Sequence, residues 1–194
     1  MIRISTVILV TIAFCFLFQT PAVTAKSKKL TEHDFILGEP DKSVSFPDDA
    51  FAQAKVFQKE KSLEEAEDLL ITNLENARVA GRGTSKLGKY LIRLNNVLFA
   101  RGKDKQAIKY GEIGVKLIAL DLKNRDALIG WLVNGQSYLA MSLDRLKKYD
   151  KAIEQYNEVI ELAESAPKGK VSAQWIKTLK QQKQSAIEKS KGKK

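Results

Sequence analysis

Three short stretches of the chain align on an alanine. They are "KSLEEAEDLL" (61–70), "GKDKQAIKYG" (102–111) and "KKYDKAIEQY" (147–156), with Ala66, Ala107 and Ala152 in register at spacings of 41 and 45 residues. Each alanine follows a turn-plus-polar stretch and precedes apolar residues three to four apart, the period of one helix face. A small side chain is needed where the two helices of a hairpin cross closely, because a larger one forces the axes apart. Self-similarity at such a period predicts a stack of helical hairpins, in which each unit buries its apolar face against the next.

Turn and cap signals set the expected elements. Residues 26–46 carry Gly38 and Pro40, show little periodicity and read as a disordered or extended leader. Ser45 with Asp48, and Ser62 with Glu65, have capping-box spacing, which predicts helices over 47–60 and from 62 to about 80. "GRG" at 81–83 ends the second, and Thr84 or Ser85 starts a third that Gly102 closes. Helices over 104–120, 125–146, 149–165 and 170–189 follow on the same grounds, and nothing reads as a strand.

The stretch "YLAMSLDRLKKYDKAIEQYNEVIEL" resembles a tetratricopeptide repeat, a helix–turn–helix unit with small and large residues at set spacings. Leu139-Ala140 stand where that family has leucine-glycine, and Tyr149, Ala152 and Tyr156 stand at its turn aromatic, small residue and second-helix aromatic. Leu91, Leu94, Leu98, Gly102 and Ala107 match in the middle unit, and Ala54, Phe57, Leu63, Ala66 and Leu70 match weakly in the first. The middle unit departs from the pattern, with Asn95 at a small position and Gly111 at an aromatic one. Gly114 falls where the family is small, but Gly111 either makes room for a neighbour such as Trp131 or marks a weak point. The resemblance implies an all-α, right-handed helical-hairpin solenoid over 47–167: three hairpins followed by a capping helix.

The chain ends carry separate signals. "VILVTIAFCFLF" (7–18) is an apolar run too short to span a bilayer, and Val23-Thr24-Ala25 fits the small-x-Ala pattern of signal-peptide cleavage. Residues 1–25 are therefore expected to be a signal peptide cleaved near Ala25, making the protein exported, either periplasmic or secreted. Cys15 is the single cysteine and lies inside that run, so the exported part has no disulfide and no thiolate chemistry. The net charge of +10 is concentrated in residues 168–194, which hold nine lysines and one glutamate. Such a tail favours anionic membrane or cell-wall polymer, whereas the interleaved aromatic and basic residues of a nucleic-acid binder are missing.

No residue set supports catalysis or a cofactor. "GTSKLGKY" (83–90) fits G-x-x-x-x-G-K, but Tyr90 stands where a phosphate loop needs serine or threonine, and a helix precedes it instead of a strand. His33, the lone histidine, lies in the leader without fixed partners, so neither a triad nor a zinc site is indicated. Glu64-Glu65 and Glu67-Asp68 read as the solvated face of an amphipathic helix. The expected function is thus a non-enzymatic scaffold or adaptor that binds a protein or peptide partner in its concave face.

Transferring the family's groove positions to this sequence implies Lys55, Lys89, Asn96, Asn134, Ser137, Met141 and Asp144 as partner-binding residues. The alternative function is surface association through the lysine-rich tail. The last helix places Val171, Trp175, Ile176, Leu179 and Ile187 on one side, which suits a cap over the third hairpin and, as the alternative, a basic helix on a membrane surface. Circular dichroism of residues 26–194 is expected to be dominated by helix; a substantial strand signal would refute the hairpin array.

Overall fold

The computed structural model describes residues 30–192. Residues 31–194 make up one unit, and 1–30 the other, so the expected signal peptide lies outside the described residues. The elements are α1 (His33–Ile36), α2 (Asp48–Lys59), α3 (Leu63–Thr72), α4 (Leu74–Gly81), α5 (Ser85–Ala100), α6 (Asp104–Ala119), a 3₁₀ turn (Leu122–Asn124), α7 (Arg125–Arg145), α8 (Tyr149–Ser165) and α9 (Ala173–Lys191). No strand occurs among the described residues. The architecture is an all-α hairpin solenoid: α2–α3, α5–α6 and α7–α8 are antiparallel pairs stacked in chain order, and α9 packs on the last of them.

The three hairpin turns share one backbone geometry. Lys61, Gly102 and Lys147 adopt left-handed torsions, with φ of 64°, 76° and 60°. In each, the next residue's N–H donates to the carbonyl five positions back: Ser62 to Phe57 at 2.9 Å, Lys103 to Leu98 at 2.8 Å and Lys148 to Leu143 at 2.9 Å. This is the six-to-one bond of a Schellman helix end, and it reverses the chain with no loop residue to spare. It also explains why Ser62 occupies an N-cap position without a side-chain cap bond. Its ψ of 64° matches that of Lys103 and Lys148 (52° and 59°), where no side chain caps either, so the turn backbone sets the helix start. Ser45 does not cap α2, which begins at Asp48 with Pro47 before it. Thr84 does cap α5, its hydroxyl accepting from Leu87 N–H at 3.4 Å.

Five residues after each left-handed position sit Ala66, Ala107 and Ala152, all fully buried. The middle hairpin is the tightest. A Cβ at Gly114 would stand 3.0 Å from the Gly88 carbonyl oxygen, and one at Gly88 would stand 2.9 Å from the Gly114 carbonyl oxygen, so α5 and α6 meet backbone to backbone. Gly111 leaves room for Asn95 and Leu139, whose Nδ2 and Cδ2 would lie 2.6 and 2.7 Å from its Cβ; Trp131 is not the neighbour. Asn95 is fully buried and its Nδ2 donates to the Ala107 carbonyl at 2.7 Å. The two departures of the middle unit are therefore one exchange of bulk across the helix pair.

Two insertions explain the long spacing. The helix expected from 62 to about 80 breaks at Asn73, whose side chain donates to the Leu69 carbonyl at 2.9 Å in competition with its own backbone N–H at 3.3 Å. The resulting α4 lengthens the first interval, and the 21 residues of α7, against 16 in α5, lengthen the second. The leader is not extended or disordered where it is described. Phe35 of α1 is fully buried, edge-on to Tyr110 of α6 with centroids 6.5 Å apart. Around it, Gly83 N–H donates to the Phe35 carbonyl at 3.0 Å, and Arg78 Nη1 to the Asp34 carbonyl at 3.0 Å. A buried aromatic ring outweighs the turn-forming composition that suggested disorder.

Helix α9 covers the end of the stack. Leu179 and Ala186 are buried in a cluster with Tyr156, Val159 and Ile160 of α8 and Met141 of α7, and Val171, Trp175 and Ile176 pack at its edge. Ala186 fills the place expected for Ile187, which is only half-buried. Ion pairs tie successive units along the turn edge. Glu67 meets Arg101 and Lys103 at 3.0 and 2.6 Å, Asp104 meets Arg145 at 2.7 Å, and Asp144 meets Lys189 at 2.9 Å. Arg145 also lies over the Phe99 ring, 3.5 Å from its centroid.

The turn geometry gives paired expectations. A Cβ at Gly102 meets nothing within 4 Å, so Gly102→Ala should cost about 1 kcal/mol from left-handed torsion alone, and Lys61→Gly should gain up to about 1 kcal/mol. Urea unfolding of the two variants checks both signs. Gly111→Ala should destabilise by about 1–3 kcal/mol through overpacking, with the cost reduced by at least about 1 kcal/mol in an Asn95→Ala background. A double-mutant cycle with no coupling would contradict the exchange of bulk.

Candidate concave-face site

The first helices of the hairpins, α2, α5 and α7, lie side by side, and polar and aromatic side chains join them across the exposed face. Asn96 Nδ2 of α5 donates to Asn134 Oδ1 of α7 at 2.7 Å. Arg93, one turn before Asn96, lies over Phe51 of α2 at 4.5 Å and beside Trp131 of α7 at 5.6 Å from ring centroids. Its Nη1 donates to Gln58 Oε1 at 2.9 Å, while Nε is buried without a hydrogen-bond partner. Asn96 Oδ1 is likewise buried and unsatisfied. Burial holds the Arg93 guanidinium below its ordinary pKa, since desolvation penalises the charged form. Phe51 and Trp131 meet at 6.0 Å, so the first and third hairpins touch across the second.

Beside this cluster the connection 166–172 folds back over α7, with the Lys170 carbonyl 3.6 Å from where a Cβ on Gly130 would stand. Two clefts result. One, of about 460 Å³, is lined by Arg93, Asn96, Trp131, Asn134, Gly169 and Lys170, among others. The other, of about 320 Å³, is lined by Val133, Asn134, Tyr138, Lys170, Val171 and Trp175, among others. They share Gly130, Asn134 and Lys170 and so adjoin. None of the described residues lining either cleft is acidic. The surface offers carboxamides, two cations and three aromatic rings, which suits hydrogen bonding to an extended backbone and shallow seating of side chains.

Of the residues expected in the groove, the structure unites Asn96 and Asn134. Lys55 is exposed on α2, and Lys89 lies near Asp121, whose carboxyl is held below its ordinary pKa first by the hydrogen bond from Ser85 and also by the Lys89 charge. Three expected groove residues are withdrawn from it. Ser137 is fully buried, its hydroxyl donating to the Val133 carbonyl of its own helix at 2.6 Å. Met141 belongs to the core beneath α9, and Asp144 is paired with Lys189 of α9. The capping helix reaches across the end of α7 and closes the groove beyond Tyr138. Sequence reasoning missed Arg93, Trp131 and Tyr138, although each lies three or four positions from Asn96 or Asn134, the separation that shares a helix face. Lys170 and Trp175 carried no such signal, because only the backward course of 166–172 brings them there.

Among the described residues no group of three histidine, cysteine, aspartate or glutamate side chains could hold a metal ion. No helix among them is long and apolar enough to cross a membrane. "GTSKLGKY" (83–90) runs from the end of α4 into α5, with Tyr90 fully buried and its hydroxyl donating to the Leu70 carbonyl at 2.8 Å. In comparison with known proteins, no curated protein and no solved structure matches the chain. The family model for the tetratricopeptide repeat matches residues 133–166, which span most of α7 and all of α8. That hairpin holds the α7 wall of both clefts, and the protein is tetratricopeptide-repeat-like in fold.

Proposed function

We propose that this protein is a scaffold or adaptor that holds an extended segment of a partner protein against α5, α7 and the 166–172 connection. Repeats of this type generally mediate contacts between proteins, which supports a protein partner. The observation that carries the reading is the Asn96–Asn134 pair, of which Asn134 lines both adjoining clefts. With its oxygen taken by Asn96, the Asn134 carboxamide keeps an amide donor that can pair with a peptide carbonyl of any sequence, while Trp131, Tyr138 and Trp175 supply apolar contact area. The apolar run at 7–18 and the Val23-Thr24-Ala25 pattern support export as part of this reading.

Surface association through the basic tail draws less support. The apolar side of α9 is packed in the core, and Lys180 and Lys189 are engaged by Glu164 and Asp144 at 2.5 and 2.9 Å. A photo-crosslinking amino acid placed at Gly130, in the shared floor of the clefts, should capture the partner in the producing cells. The same group at Lys177, on the outer face of α9, should not. Capture from Lys177 alone would overturn the groove reading and favour the tail.

A further inference from the structure

Resting on the concave-face reading, we propose that the partner segment carries an acidic side chain two residues from a bulky apolar one. The carboxylate enters the Arg93–Lys170 cleft, and the apolar side chain enters the cleft of Tyr138, Val171 and Trp175. The first ground is a cation without a counter-ion. Arg78, Arg101 and Arg145 each pair with a carboxylate, whereas Arg93 meets only Gln58 and two aromatic faces among the described residues. A partly buried charge held this way leaves solvation unrecovered, and Arg93 lines the cleft, where a carboxylate from outside can meet the guanidinium.

The second ground is charge. The exposed Lys170 lines both clefts and no described lining residue is acidic, so the surface favours anionic side chains and repels none. The third is the difference between the clefts. Arginine lines only one, while Tyr138, Val171 and Trp175 line the other, and the two adjoin through Gly130 and Asn134. In an extended segment, side chains two residues apart point the same way, about 7 Å along the chain, so both can face the protein while Asn134 meets the peptide unit between them.

The two tryptophans of the chain, Trp131 and Trp175, each line one cleft, so intrinsic fluorescence reports occupancy of both. Random peptides displayed on phage are selected on the full chain. Those enriched are synthesised with amidated ends, so that side chains carry the only carboxylates. The selected sequences should hold Asp or Glu two positions from a large apolar residue, and changing the acid to its amide should weaken binding by at least about tenfold. Arg93→Gln should remove that preference and Arg93→Lys should keep part of it. Lys170→Glu, in an exposed connection that leaves the core untouched, should reduce it as well.

Peptides without an acid that bind wild type and Arg93→Gln alike would overturn this inference while leaving the groove intact. Binding indifferent to Gly130→Gln, which fills the shared floor of the clefts, or enrichment of no peptide, would remove the groove reading with it.

Discussion

The close approach of two helices behind each left-handed turn is the constraint on which the rest of this structure depends. A turn that spares no loop residue brings the second helix back at once onto the first, and only a small side chain fits where they meet. Ala66, Ala107 and Ala152 fill that place with no exposed surface. In the middle hairpin the contact tightens to Gly88 against Gly114, which lets Ile92, Ile118, Leu128 and Leu132 join one apolar cluster between the second and third units. Loosening this contact would also separate Asn96 from Asn134, because the side-by-side placement of α5 and α7 follows from the packing behind them.

The stack is stitched in a second way along its turn edge. Carboxylates at Glu67, Asp104 and Asp144 each reach a cation on the following unit. Asp104 and Asp144 are largely shielded, with 11% and 13% of the side chain exposed, so these pairs are screened less than open surface pairs such as Lys86–Asp48. Their value is in register as much as in stability: each fixes how far one hairpin slides along the next. Lys189 thereby holds α9 across the end of α7, and that position decides where the groove stops.

The face formed by α5 and α7 then divides its side chains by neighbour rather than by residue type. Met141 and Asp144 share the helical stripe of Asn134, yet α9 covers them, while Tyr138 remains on the cleft wall. Arg93, unlike Arg78 and Arg101, lies among rings and an amide instead of carboxylates. The same repeat position thus becomes core, clamp or contact surface according to what the next element lays over it.

By itself the sequence determined the hairpins. Alanine spacing, turn residues and helical periodicity are local patterns, and the physics behind them acts within one helix pair, so three hairpins and a terminal helix were legible in the residues. The exchange between Asn95 and Gly111 was visible as two oddities, but their pairing needed the helix crossing to be known. Phe35 was hidden inside a turn-rich leader, because burial depends on a partner, Tyr110, far along the chain. The candidate site was half legible: Asn96 and Asn134 were anticipated on the clefts, whereas Ser137, Met141 and Asp144 are drawn away from them and Lys170 and Trp175 line them. Only the tertiary structure decided that, because the folding of 166–172 and α9 onto α7 is a contact between elements, which no helical period records.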